Sequence, residues 1–327
     1  MNTLTPETEK TEVRPRLGAS SCLLGVPVRY NGGHSRYRFL TDELDRYVEW
    51  TEVCPEAEIG LGTPRPTLHL QRRGEADRVI SSGDGSDRTD ELAGIADARL
   101  AELSGLDGYV LKNKSPSCGL LALPVFNEDK QRVDGKGRGA FAGRLTELLP
   151  ELPVEEQGRL SDPALREAFV ERIFAHARLR ELWEASWRPR DLVDFQTRHK
   201  LQLMAHSPEG YRETGRIAAR AGSEDREGTR RDYTEAFCKA MATRTNRGRH
   251  ANALQHAFGM IGDGLDDVRR HDLLAAIEDY REERAPLSLP VALLRHHGAA
   301  DGPDWLRQQT YLRPYPDDLR LRHALAV

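Results

Sequence analysis

The chain reads as an α/β fold with a parallel sheet in its N-terminal half, followed by an all-α half. Three observations lead there. Short apolar runs alternate with helix-like segments from about Leu17 to Leu149. After about Pro153 strand signals nearly vanish and amphipathic helical patterns take over. The length of 327 residues suits two domains of ordinary size.

Taken in order, residues 1–16 (MNTLTPETEKTEVRPR) are polar and mixed in charge, and read as a disordered lead-in without the apolar centre of a signal peptide. RLGASSCLLG, VEWTEVCPE and LDGYVLKNKSPSCG each read as a strand running into a loop. Residues 90–103 (DELAGIADARLAEL) have helical spacing, with Leu92, Ile95, Ala96, Leu100 and Leu103 on one side. SSGDGSDRTD reads as a surface turn. The polar, proline-containing run ELPVEEQGRLSDP reads as a linker, giving domains of 17–155 and 156–327. Asp162-Pro163 pairs a capping residue with a first-turn proline, so it opens the first helix of the second half.

Composition narrows the function classes. Hydrophobic residues make up 38% and charged residues 31%, enough for packed cores and too little charge to force disorder. No stretch of about 18 apolar residues is present to span a membrane, and a cytoplasmic protein is expected. The net charge of −4 excludes a surface that is basic all over, so any polyanion contact has to be local. Residues 1–155 carry 20 Lys/Arg against 25 Asp/Glu, and residues 156–327 carry 28 against 27, which makes the helical half the better candidate.

The four cysteines are too few for a disulfide framework in a chain of this length. Cys22, Cys54 and Cys118 share a context: each follows an apolar run, in a loop containing Gly or Pro. In a parallel, Rossmann-like sheet the loops after the strand ends converge on one edge, where such folds bind ligands. Three meanings remain open on the residues alone: buried structural thiols, a zinc site lacking the usual paired spacing, or an iron–sulfur cluster with one iron free of protein ligands. Cys238 lies on a helical pattern and reads as packing.

SSCLLGVPVRYNG, VCPEAEIGLGTPRPT and KSPSCG, in this order, resemble the signature of the thiouracil desulfurase (TudS) family. LVDFQTRHKLQLMAHSPEGY, NALQHAFGMI, LPVALLRHH and QTYLRPYPDDLRLR resemble the YbgA-type helical domain. The fusion is similar to RudS-type tRNA 4-thiouridine desulfidases. The resemblance implies a 4Fe–4S cluster on Cys22, Cys54 and Cys118 with one open iron. It also implies a helical domain that helps bind tRNA, and non-redox conversion of 4-thiouridine in tRNA to uridine with release of hydrogen sulfide. Free thiouracil or thiouridine nucleotides are the alternative substrates. An iron–sulfur sensor or RNA-binding regulator without turnover is the second alternative.

Such a reaction needs an activated water, and a carboxylate beside the cluster can supply the base. Glu56, two residues after Cys54, is the candidate, with Glu52 and Glu58 as rivals and a loop-bracing role as the alternative. Ser115, with Ser117 behind it, can position water or the ring, although loop serines also cap turns. Arg65 can contact a phosphate or the ring, or brace its loop through a carboxylate; Arg29 and Tyr30 are open to the same two readings. GKGRGAF at 135–141 lacks the P-loop pattern and reads as a basic loop near the site, with Lys136 and Arg138 as contacts. In the helical half, Arg244, Arg247 and Arg249 crowd a glycine-containing turn, and Arg198 and Lys200 form a second cluster. These are candidate phosphate contacts, against the alternative of a solvated helix face.

Overall fold

The computed structural model describes residues 13–223 and 225–323. Residues 1–12, most of the expected lead-in, lie outside the described residues. Within that lead-in Val13 is buried and Arg16 already opens a strand.

The first half is built on a four-stranded parallel sheet in the order β2-β1-β5-β8. Its strands are β1 (Arg16–Ser20), β2 (Glu49–Val53), β5 (Gly108–Leu111) and β8 (Val154–Glu156). β5 is buried at all four positions, as strands covered on both faces are. Gly18 lets the ring of Tyr109 approach: a Cβ there would stand 2.2 Å from Tyr109 Cδ2. The presumed linker therefore contributes the edge strand β8.

A second sheet, ordered β4-β3-β6-β7, was not legible in the sequence. It holds β3 (Leu68–Arg73), β4 (Ala76–Ser81), β6 (Leu123–Phe126) and β7 (Arg132–Gly137), and is antiparallel except between β3 and β6. Among the described residues this half has the α-helices α1 (Pro55–Glu58), α2 (Thr89–Ala98), α3 (Leu100–Leu103) and α4 (Ala140–Leu148), with a π-helical turn at Phe39–Leu44. α2 and α3 cover the expected 90–103 helix, divided at Arg99.

The remainder is helical: α5 (Pro163–Glu184), α6 (Pro189–Arg198), α7 (Lys200–His206), α8 (Pro208–Arg220), α9 (Arg226–Ala242), α10 (Arg247–Phe258), α11 (Asp267–Arg281), α12 (Ser288–Asp301) and α13 (Asp304–Arg307). The caps follow the sequence. Asp162 accepts the N–H groups of Ala164 and Leu165, with Pro163 in the first turn. Ser207, Asp225, Asn246 and Asp266 cap α8 to α11 in the same way.

The core crosses the boundary expected near 155. Phe169, Val170, Ile173 and Phe174 of α5 pack with Leu17, Leu23, Leu40 and Val110, and Tyr315 and Leu319 near the C-terminus join the same cluster. Ala175 and Leu179 of α5 face a second core with Phe195, Leu203 and Phe237. A buried carboxylate ties the joint: Asp107 accepts from Arg180 at 3.0 Å and from the Arg16 N–H at 2.9 Å, with His176 at 3.0 Å.

Candidate active site

Strands β2, β1 and β5 are neighbours, so the loops leaving their carboxyl ends meet at one edge of the sheet. These loops hold Cys22, Cys54 and Cys118, and all three line one cavity of about 300 Å³. That volume is at the small end of ligand sites, the right scale for a compact cofactor and a single ring.

Each cysteine is fixed by local backbone. Cys22 sits in a short 3-10 turn, Ser21–Leu23, whose Leu23 side chain is buried and anchors it. Cys54 precedes α1, and the N–H groups of Ala57 and Glu56 point at its sulfur. Cys118 is held by a serine turn: Ser115 Oγ accepts the N–H groups of Cys118 at 3.1 Å and Ser117 at 3.3 Å. Gly139 closes that loop from behind, its N–H bonded to Gly119 O at 2.7 Å. A Cβ on Gly139 would stand 2.6 Å from the Ser117 carbonyl.

Burial pushes all three thiols up, Cys22 to about 11 with the charge of Cys54 adding to it. For Cys118 the Ser20 hydroxyl, which bonds its sulfur, works against that burial. Thiols so placed ionise when a metal binds them, because the metal's charge replaces the lost solvation. Among the described residues no group of three or more His, Cys, Asp or Glu is gathered tightly enough for a single ion. Three thiols lining one cavity are a donor set suited to a thiophilic metal group.

Glu56 lies in the same cavity with both carboxylate oxygens committed. Oε1 accepts the Ser117 hydroxyl at 2.9 Å, and Oε2 faces Arg65 Nε at 2.8 Å and Nη2 at 2.7 Å. Arg65 also donates through Nη1 to Gly62 O at 2.7 Å and Thr63 Oγ1 at 3.2 Å, and through Nη2 to Val28 O at 2.8 Å. A guanidinium has five N–H donors, and here five acceptor contacts use them. Arg65 is buried and braces Glu56, the loop-bracing alternative of its two readings. Glu58 is drawn away to Arg99 at 2.8 Å, and Glu52 is exposed on β2.

The other expected contacts divide. Ser115 lines the cavity, whereas Ser117 is fully buried behind it and reaches the cavity through Glu56. Arg29 and Tyr30 line the cavity, with the guanidinium 5.5 Å from the ring. Lys136 and Arg138 do not line it; Arg138 bonds Thr146 Oγ1 at 3.3 Å. Lys200 stands 5.4 Å from the Trp305 ring, and Arg198 reaches the Asp194 carbonyl at 3.4 Å. Arg249 turns inward to His206 O and Arg244 O, Arg247 stacks on Tyr280, and Arg244 is exposed. Cys238 is packed in the helical core.

Several cavity residues were missed, among them Ser20, Asn113 and Lys112. Lys112 is half-buried, with Nζ bonded to Asn113 Oδ1 at 2.6 Å and Asn113 O at 2.9 Å. Burial lowers its pKa, opposed by the nearby Cys22. Its position directly after β5 was the available signal, since that is where the sheet places ligand-facing groups.

Residues 17–157 match the family model described as 2-thiouracil desulfurase, and residues 200–316 match that of a protein of unknown function, DUF1722. The chain is similar to the uncharacterized protein YbgA of Escherichia coli (strain K12), 30% identical over 154 residues, 47% of this chain and 91% of that one. It is also similar to the uncharacterized protein YbbK of Bacillus subtilis (strain 168), 34% identical over 110 residues, 31% of this chain and 70% of that one. A solved structure titled [4Fe-4S]-dependent thiouracil desulfidase TudS aligns at 29% identity over 47% of this chain and 99% of that chain, with a TM-score of 0.35.

Proposed function

We propose that this chain, which matches the 2-thiouracil desulfurase family model through residues 17–157 and belongs to the family of YbgA, removes sulfur from 4-thiouridine in tRNA. The single observation that carries the reading is one cavity lined by Cys22, Cys54, Cys118 and an oriented Glu56. Cys22, Cys54 and Cys118 would hold a 4Fe–4S cluster. When bound, it supplies an open, thiophilic Lewis acid that polarises a carbon–sulfur bond.

The chain's own residues supply the rest. Glu56 takes a proton from water, and the oxygen of that water bonds to the ring carbon bearing sulfur. The carbon–sulfur bond then breaks, leaving a carbonyl, and the sulfur departs as hydrogen sulfide with the two protons of the water. No electron is gained or lost. Arg65 and Ser117 act as positioning residues, fixing the carboxylate so that its reorientation costs little at the moment of reaction. The Lys112 amine at the cavity wall, in its protonated form, would favour departure of the sulfur. Ser115 faces the ring or the water from the Cys118 loop.

The family description favours a second reading, in which the substrate is a free thiopyrimidine and the helical half has another task. Basic side chains on the helical half, exposed Arg244 among them, support the polymeric substrate.

The test is the 4-thiouridine content of bulk tRNA after incubation with anaerobically reconstituted protein. Cys118→Ala and free 4-thiouridine monophosphate serve as controls. Loss of 4-thiouridine with the unaltered protein alone supports the reading, with binding that weakens steeply as salt rises. Reaction of the free nucleotide only would move the assignment to the second reading. No reaction with either, iron and sulfide being present, would leave a cluster without turnover.

A further inference from the structure

A second cavity, of about 380 Å³, lies in the helical half, between the first turns of α5, the turn joining α9 to α10, and the C-terminal segment. Its rim and its floor differ in chemistry. Exposed Arg244 stands on the rim beside Asn246 and Arg247, where α10 begins. Asn246 Oδ1 takes the N–H of Arg249, and the earlier N–H groups of the first turn lie outside the helical ladder, an arrangement that favours an anion. Arg249 turns inward and pins the turn through the carbonyls of Arg244 and His206. Arg247 is held rigid, bonded to Tyr280 O at 2.9 Å with its guanidinium 5.2 Å from the Tyr280 ring.

The floor is formed by Glu167, Glu171 and Arg322. Arg322, only 7% exposed, donates Nε to Glu167 at 2.9 Å and Nη1 to Tyr311 O at 2.5 Å. Its Nη2 has no hydrogen-bond partner among the described residues, and the nearest carboxylate oxygen, Glu171 Oε1, is 3.6 Å away, beyond hydrogen-bond length. A buried donor left open in this way is costly unless something fills it. Glu171 itself is 4% exposed and is fixed by Gln202 Nε2 at 2.8 Å.

We propose that this cavity binds one unpaired nucleotide unit, its phosphate on Arg244 and the first turn of α10, its base edge on Arg322, Glu167 and Glu171. A bare phosphate would meet two carboxylates on the floor, and an apolar ligand would strand three charges. A nucleobase edge presents donors and acceptors side by side, which is what a fixed Arg–Glu floor matches. Unpaired nucleotides are the units that proteins splay into such pockets. The cavity takes the nucleotide from an RNA strand or from solution, and the two sources share this chemistry.

The test is calorimetric titration of the full-length protein with the four unthiolated nucleoside 5′-monophosphates. At least one binds with submillimolar Kd. Arg244→Ala weakens that binding tenfold or more while changing affinity for the matching nucleoside less than twofold. Glu167→Gln, at a partly exposed position, changes the order of preference among the four bases. A single-stranded oligonucleotide that displaces the bound mononucleotide, when the same sequence as a duplex does not, identifies RNA as the source; failure to displace identifies the free nucleotide. No binding of any of the four by folded protein overturns the proposal, as does binding that survives both variants and is lost in Glu56→Gln. The probes carry no sulfur, so their failure leaves the desulfidase reading standing, and failure of tRNA desulfidation leaves this site standing.

Discussion

Ser117 Oγ donates to Glu56 Oε1 at 2.9 Å across 61 residues of sequence, joining the loop that carries Cys118 to the turn that carries Cys54. The carboxylate is thereby oriented by a loop that also presents a thiol. Cavity and base are one mechanical unit.

Ser117→Ala removes that donor and leaves the Arg65 contact in place. A hydrogen bond to a charged group is worth about 1.5–3 kcal/mol. Turnover is expected to fall by about ten- to a hundredfold at unchanged iron content. Iron analysis beside single-turnover sulfide release checks it; equal loss of iron and activity would point to a structural role alone.

Arg65→Met leaves Glu56 without its buried partner. Breaking such a pair from one side costs about 3–5 kcal/mol. Denaturant unfolding of the protein should show a loss of that order. The double variant Arg65→Met/Glu56→Gln should regain part of the stability and none of the activity.

Gly139→Ala tests the backing of the Cys118 loop. The residue's φ of −66° is open to alanine, so the effect is steric: the new methyl meets the Ser117 carbonyl at 2.6 Å. The loop must shift, and iron retention on anaerobic dialysis should fall. Gly143→Ala, one turn further along in α4 with its built Cβ 3.5 Å from Arg138 Cδ, should retain iron.

Acid should unfold the helical half first. Burial lowers the pKa of His199 and of His250 from 6.5 to about 3. Between those values the unfolded chain holds a proton that the folded chain lacks, so stability is full above about pH 6.5 and drains as pH falls toward 3. Each histidine steepens the decline by up to about 1.4 kcal/mol per pH unit. Glu171, whose carboxyl is held low by His206 against the effect of burial, adds its own loss below about pH 4.5. Urea midpoints measured across pH 7 to 4 should fall, and His199→Gln should flatten the curve.

The legible parts were those governed by local rules. Strands β1, β2 and β5 announced themselves by apolar runs, and Asp162-Pro163 by capping chemistry. The convergence of the three cysteine loops followed from parallel topology. The second sheet was hidden because LHLQRR and ADRVIS mix charge into strands that are covered only in part. The part played by Arg65 was hidden because four acceptors from four separate residues assemble only in three dimensions. Glu171 and Arg322 left a fainter trace: a carboxylate between Val170 and Ile173 breaks an apolar stripe, and its partner lies 151 positions away.

Helix α5 falls between the two matched stretches, 17–157 and 200–316, and belongs to neither. Yet its residues seal the sheet on one side and the helical core on the other. One helix thus serves as the gasket, meeting the packing demands of both cores at once. A chimera that borrows a helical half from another member must bring α5 matched to the recipient's Leu17, Leu23 and Leu40, or the graft will leak at its seam.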